Sequence, residues 1–213
     1  TQTIIDLRNV RFTSSETVLL RHHGLTASVF RYASGVDAIR VRNEVGEIIW
    51  LPFQGQQIWD AHFHGRRLTM RSMFDDPVNT SDYLGNCGGF LLHCGLLAMG
   101  NPGPEDSHPL HGELPNATYQ EAFIALGKDQ SGAYLDLCGK RRHTIAFAAN
   151  YEAEPRIRIQ AGSGQLDAQM TVTNLKRSPM ELMYLAHVNF LPVDDAILID
   201  TASDEPDDVS VRV

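Results

Sequence analysis

The chain has 213 residues, 43% of them hydrophobic and 21% charged, which is enough apolar material for one domain with a substantial core. The formal net charge is −8, and the basic residues gather only in short runs such as Arg66–Arg67 and Lys140–Arg141–Arg142. A nucleic-acid backbone is therefore not expected as the main partner.

Period-two patterns dominate from the N-terminal side. Strands are expected at 17–21, 26–32, 36–42, 45–52 and 66–72, punctuated by Gly24, Gly35, Gly46 and Gly65. The stretch 75–120 differs, being rich in proline and glycine, and reads as loops laid over a scaffold. A short apolar strand is expected at 143–149. Ile157 and Ile159 then alternate with Arg156, Arg158 and Gln160. In 166–174, Leu166, Ala168, Met170 and Val172 alternate with Asp167, Gln169, Thr171 and Thr173, as in a half-buried strand. The Ala161-Gly162-Ser163-Gly164 linker makes these two strands a hairpin. Segment 180–190 follows Ser178-Pro179, precedes Pro192, and is expected to be a strand. The stretch 194–208 carries seven acidic residues and no basic one, as a solvated loop does. Residues 209–213 alternate like a strand, so the natural protein is expected to continue beyond Val213.

Many short strands with turns between them, no convincing amphipathic helix and no repeat point to an all-β sandwich or barrel, taken as a single domain over 1–213. No stretch approaches the ~20 apolar residues of a membrane-spanning helix, and no basic-then-apolar leader is present. The three cysteines, Cys87, Cys94 and Cys138, are too few for a disulfide framework and are read as small buried apolar residues. The expected location is the cytoplasm, with no membrane partner.

Three histidine-bearing segments could carry chemistry. Asn101 to Glu113 packs His108, His111 and the carboxylates Glu105, Asp106 and Glu113 into a turn-rich run. Imidazole suits proton transfer near neutral pH, and Gly112 lets backbone or ligand approach closely. In Tyr184 to Phe190, a strand would set His187 and Asn189 on one face, with Tyr184 and Phe190 on the other. Two polar groups side by side in an apolar strand either satisfy each other and the backbone or line a polar pocket. His62 and His64 form an H-x-H pair, which on a strand shares one face as a metal site requires. The residues after it, Arg66, Arg67 and Arg71, would repel a cation, so no metal is expected. His22–His23 would point to opposite faces and reads as surface. Gly85-Asn86-Cys87-Gly88-Gly89 lacks the spacing of a dinucleotide fingerprint.

Four motifs occur in a telling order: Cys94-Gly95-Leu96-Leu97, Leu110-His111-Gly112, Thr171-Val172-Thr173-Asn174 and His187-Val188-Asn189-Phe190. This order resembles the aldose 1-epimerase family and its galactose-mutarotase-like relatives, over roughly residues 35–200. The resemblance implies a large antiparallel β-sandwich, incomplete here at its C-terminal side, that binds a small-molecule carbohydrate in an open cleft and needs no cofactor. It implies an isomerase that opens the sugar ring at the anomeric centre by acid–base chemistry. His187 would be the acid and His111 would orient the sugar, with Glu113 and Asn189 as neighbouring ligands. Two departures stand out. The late glutamate that serves this family as base has no match before Val213, and the sugar-binding arginine has only Arg67 and Arg71 as unaligned counterparts. A carbohydrate-binding protein without turnover is therefore one alternative, and a cupin-like metal enzyme using His62 and His64 is another.

Overall fold

The computed structural model describes residues 2–197 and 199. In chain order the strands are β1 Thr3–Asp6, β2 Thr17–His22, β3 Leu25–Arg31, β4 Asp37–Arg42, β5 Gly46–Trp50, β6 Ile58–Phe63 and β7 Arg66–Arg67. They continue with β8 Leu91–Leu96, β9 Glu121–Asp129, β10 Gly132–Ile145, β11 Ala149–Gln160, β12 Leu166–Asn174 and β13 Met183–Val188. A 3-10 turn, Leu7–Asn9, follows β1 and is capped by the Asp6 side chain.

The strands form two antiparallel sheets. One has five strands in the order β1-β9-β10-β11-β12. The other has eight, in the order β13-β8-β6-β5-β4-β3-β2, with β7 paired to β6. The architecture is the all-β sandwich that the patterning implies. Its core lies between the sheets, where Leu25, Val29, Ile39, Trp50 and Ile58 meet Ile124, Leu135, Leu137, Ile157 and Ile159. Strand β11 illustrates the cause: Tyr151, Ala153, Ile157 and Ile159 are buried, while Glu152, Glu154, Arg156 and Arg158 between them reach solvent. A smaller apolar cluster of Ala38, Ile49, Leu51 and Trp59, with Phe30, Tyr32 and Phe74, covers the opposite face of the larger sheet.

Three expectations are corrected. The predicted strand 66–72 pairs with β6 at Arg66 and Arg67, with one further bond from Leu68 N–H to the Ala61 carbonyl. Its hydrogen bonds then change partner, because Met70 donates to the Asn189 carbonyl and Leu191 donates to that of Leu68. Segment 143–149 is not a separate strand. It is the end of β10, a tight turn with Phe147 in the left-handed region (φ 63°) and the first residue of β11. The stretch 75–120 is not all loop, since β8 runs through it with all six residues buried. A strand covered on both faces shows no alternation, so its sequence gave no period-two signal.

The strand expected at 166–174 is β12, and its apolar side is only half-buried, with Ala168 exposed. Residues 209–213, and much of the acidic stretch before them, lie outside the described residues. Among the described residues, no helix is long and apolar enough to cross a membrane.

Candidate functional site

The site is built on the β8–β13 pair. His187 lies directly opposite Leu92, and Ala186 opposite His93. Leu91, two residues before His93, belongs to the inter-sheet core. Side chains alternate along a strand, so His93, Ala186 and Tyr184 point between the sheets while His187 points to the outer face. Tyr184, on the edge strand, is itself 38% exposed, but its hydroxyl lies 2.7 Å from Nδ1 of the fully buried His93. The expected division of His187 and Tyr184 between opposite faces therefore holds.

Two loops bring partners over His187. The first carries His111, whose backbone is left-handed (φ 59°) and is followed by left-handed Gly112 (φ 82°). A Cβ on Gly112 would stand 2.4 Å from the Ala98 carbonyl oxygen and 2.7 Å from that of Gly95, so only glycine permits this approach. The turn is tied to β8, with Gly95 N–H donating to the His111 carbonyl and the N–H groups of Glu113 and Leu114 donating back to the Gly95 carbonyl. The second loop carries Tyr83, which the sequence reading did not single out. Three rings converge: Tyr83 to His111 at 4.7 Å, His111 to His187 at 5.6 Å and Tyr83 to His187 at 6.3 Å between centroids.

A buried amide network holds the two loops together. Asn116 Oδ1 accepts from Gln57 Nε2 (2.8 Å) and Asn86 Nδ2 (2.9 Å), and its Nδ2 donates to the Asp82 carbonyl (2.8 Å), next to Tyr83. Burial and the neighbouring His187 hold the His111 imidazole below its ordinary pKa, which favours the neutral ring. Burial, with Cys94 and Cys87 nearby, pushes the Tyr83 phenol up to about 12, so it remains a donor at neutral pH. Nδ1 of both His111 and His187 is buried. Among the described residues, neither histidine is hydrogen-bonded to a carboxylate.

A cavity of about 230 Å³ adjoins Tyr83 and is lined by Ser81, Pro109, Gly112, Glu113 and Asn116. A larger one, about 420 Å³, lies farther along the same loops beside Asp37, Phe53 and Gln54 and contains none of the three rings. The smaller cavity is the one that adjoins the site, because Tyr83 and Gly112, the neighbour of His111, line it, although neither histidine does.

The remaining predicted residues fall differently. Glu113 is beside the site, but its carboxylate is engaged by the protein itself. Oε1 accepts from the N–H of Leu96 (3.1 Å) and Leu97 (3.1 Å) and from the Tyr151 hydroxyl (2.6 Å). Asn189 lies just past the end of β13, and its Nδ2 donates to the Gly89 carbonyl (2.9 Å), tying the strand end to the preceding loop. His62 and His64 do not share a strand face. Strand β6 ends at Phe63, and His64 sits in the following turn with φ 52°. His62 is bound to Asp60 (3.1 Å), which also holds Arg67 (3.2 Å). Among the described residues, no group of three or more His, Cys, Asp or Glu side chains is placed to hold a metal ion. His22 Nε2 donates to the Gly127 carbonyl (2.9 Å), linking the two sheets rather than serving a site. Of the cysteines, Cys94 and Cys138 are buried as expected, and Cys87 is half-buried.

Tyr83 and Asn116 escaped the sequence reading because both lie in irregular chain, where no periodicity marks the inward side. His93 escaped because its strand carried no alternation.

No curated protein matches this sequence. The fold matches that of a crystal structure described as a "putative aldose 1-epimerase" from Klebsiella pneumoniae subsp. pneumoniae MGH 78578, with a TM-score of 0.77 and 15% sequence identity. The match covers 89% of this chain and 56% of that one, so the chain spans little more than half the length of its structural neighbour. At that identity the likeness concerns the fold. Residues 33–195 match the family described as Domain of unknown function (DUF4432), and the chain belongs to that family.

Proposed function

We propose that this protein acts on the anomeric centre of an aldose or related carbohydrate, as a mutarotase-like isomerase. The observation that carries the reading is the convergence of His111 and His187, 5.6 Å apart between ring centroids, from a loop and a strand that are 76 positions apart by their numbering. Both lie on the loop-covered outer face of the larger sheet, with Tyr83 beside them. The fold neighbour's description supports the same substrate class.

Anomer interconversion moves two protons. An acid protonates the ring oxygen while a base removes the proton of the anomeric hydroxyl; the ring opens, the aldehyde turns, and closure reverses the transfers. In this reading His187 gives the proton to the ring oxygen, and the hydroxyl proton passes to a base that the described site residues do not supply. Neutral His111 orients the sugar by hydrogen bonding, and the Tyr83 phenol offers a donor beside them. Glu113 does not serve as the base, because its oxygens are already accepting from two backbone amides and a buried phenol. The three free thiols fit a reducing compartment such as the cytoplasm.

His187→Ala is expected to lower kcat for anomer interconversion by about 100-fold or more, with an unchanged thermal melt. His111→Ala is expected to act mainly on KM. Polarimetry or saturation-transfer NMR on freshly dissolved aldoses measures both, and an unchanged rate in His187→Ala removes the acid assignment.

The absence of a carboxylate bonded to either histidine among the described residues favours one second reading, a carbohydrate-binding protein without turnover. Saturable sugar binding with no rate above buffer would decide for it.

A further inference from the structure

We infer that Glu113 and Tyr151 are positioning residues whose hydrogen bond, reaching from the space between the sheets to the outer face, holds His111 against His187. The inference deepens the reading of His111 as the sugar-orienting histidine and rests on that reading only for its catalytic consequence.

Consider what the His111 turn must overcome. Two consecutive left-handed residues, one of them not glycine, cost about 1–2 kcal/mol of local strain. Such a turn persists only where its surroundings fix it. Backbone bonds to Gly95 hold it from one side, and His111 N–H donates to the Gly100 carbonyl at 3.0 Å. Glu113 fixes it from the other. Its half-buried carboxylate gathers the N–H groups of Leu96 and Leu97, at the end of β8, and the hydroxyl of Tyr151, near the start of β11 in the opposite sheet. The 2.6 Å Tyr151 contact is a short, charge-assisted bond, of the stronger kind.

Tyr151 is itself fixed. It is fully buried in β11, its ring lies 5.1 Å from that of His143, and Arg141 Nη1 reaches its hydroxyl at 3.4 Å. Burial and the hydrogen bond to Glu113 raise its pKa far above neutrality, so it remains a proton donor. The chain of contacts thus runs from Arg141 through Tyr151 and Glu113 to the turn that carries His111. Glu113 is two residues from His111 and Gly112 separates them, so displacing the carboxylate displaces the ring.

The test compares Tyr151→Phe, Glu113→Ala and Glu113→Gln with Tyr119→Phe. Tyr119 is an equally buried tyrosine whose hydroxyl has no partner among the described residues. The readouts are the NMR titration of the His111 ring and the cross-relaxation between the His111 and Tyr83 rings, both measured without sugar. His111→Ala assigns the resonance. In Tyr151→Phe and Glu113→Ala, the His111 pKa is expected to rise toward its ordinary value of 6.5, and the cross-peak to fall at least about twofold. Glu113→Gln retains one acceptor oxygen but loses the charge and the second acceptor facing Leu97 N–H, and is expected to fall between wild type and Glu113→Ala, whereas Tyr119→Phe is expected to stay at wild type. With a sugar that turns over, kcat/KM should fall about 10-fold in Tyr151→Phe.

An unchanged titration and cross-peak in folded Tyr151→Phe overturns the inference, and so does an equal change in Tyr119→Phe. If Glu113→Ala fails to fold, Tyr151→Phe, which removes one oxygen atom, decides alone. A protein without mutarotase activity can still pass the NMR test, so failure of the proposed function and failure of this inference are distinguishable.

Discussion

At the scale of single residues, His93 has the clearest pH signature. It is fully buried, and burial depresses its pKa to about 4 from an ordinary 6.5. The folded state therefore keeps the ring neutral where the unfolded chain would protonate it. The resulting stability is fully present above about pH 7 and is lost as pH falls from 6.5 toward 4. A depression of that size corresponds to about 3 kcal/mol. His111 is depressed for the same first reason, so its contribution has the same sign. Urea unfolding at pH 7 and at pH 4.5 should differ by about 2–3 kcal/mol from this source. His93→Gln, which keeps a polar partner for Tyr184, should flatten that difference, and an undiminished difference would exclude His93 as its origin. Sequence reading could not find this residue: a histidine in LLHCGL carries no mark of the face it will occupy.

At the scale of elements, the site depends on loops held by amides. Asn116 receives donors from Gln57 and Asn86 and donates to the Asp82 carbonyl, which fixes the loop carrying Tyr83 relative to the turn carrying His111. Its replacement leaves several buried polar groups without a partner at once. Asn116→Ala is expected to lower stability by about 3 kcal/mol and to weaken sugar binding by displacing Tyr83, without touching the sheets. Circular dichroism should keep its β signature while Tyr83–His111 cross-relaxation falls; an unchanged cross-peak would separate Asn116 from the site. The alternating strands β11 and β12, and the hairpin between them, were legible because one face of each is more buried than the other. Strand β8 was not, because both its faces are covered. The run 66–72 was misread because its alternation continues past the point where its backbone exchanges β6 for the 189–191 segment.

At the scale of the molecule, both sheets depend on one core. Trp50 is fully buried in it, on a strand whose neighbours are β4 and β6. Trp50→Ala is expected to cost about 3–5 kcal/mol, and fluorescence-independent probes of the two sheets should lose structure in a single transition. Two separate transitions would mean that the sheets do not share their stability. The chain's composition and alternation by themselves determined an all-β protein with two-faced strands, because burial on one side forces a period of two. The ordered His-bearing motifs marked His111 and His187. Only the tertiary structure decided that these two rings meet, that Tyr83 joins them, and that Glu113 and Asn189 are engaged by the protein's own backbone and phenol groups. Contacts between residues far apart in sequence follow from how strands are ordered within a sheet and how loops cross its face. Neither leaves a local periodicity to read.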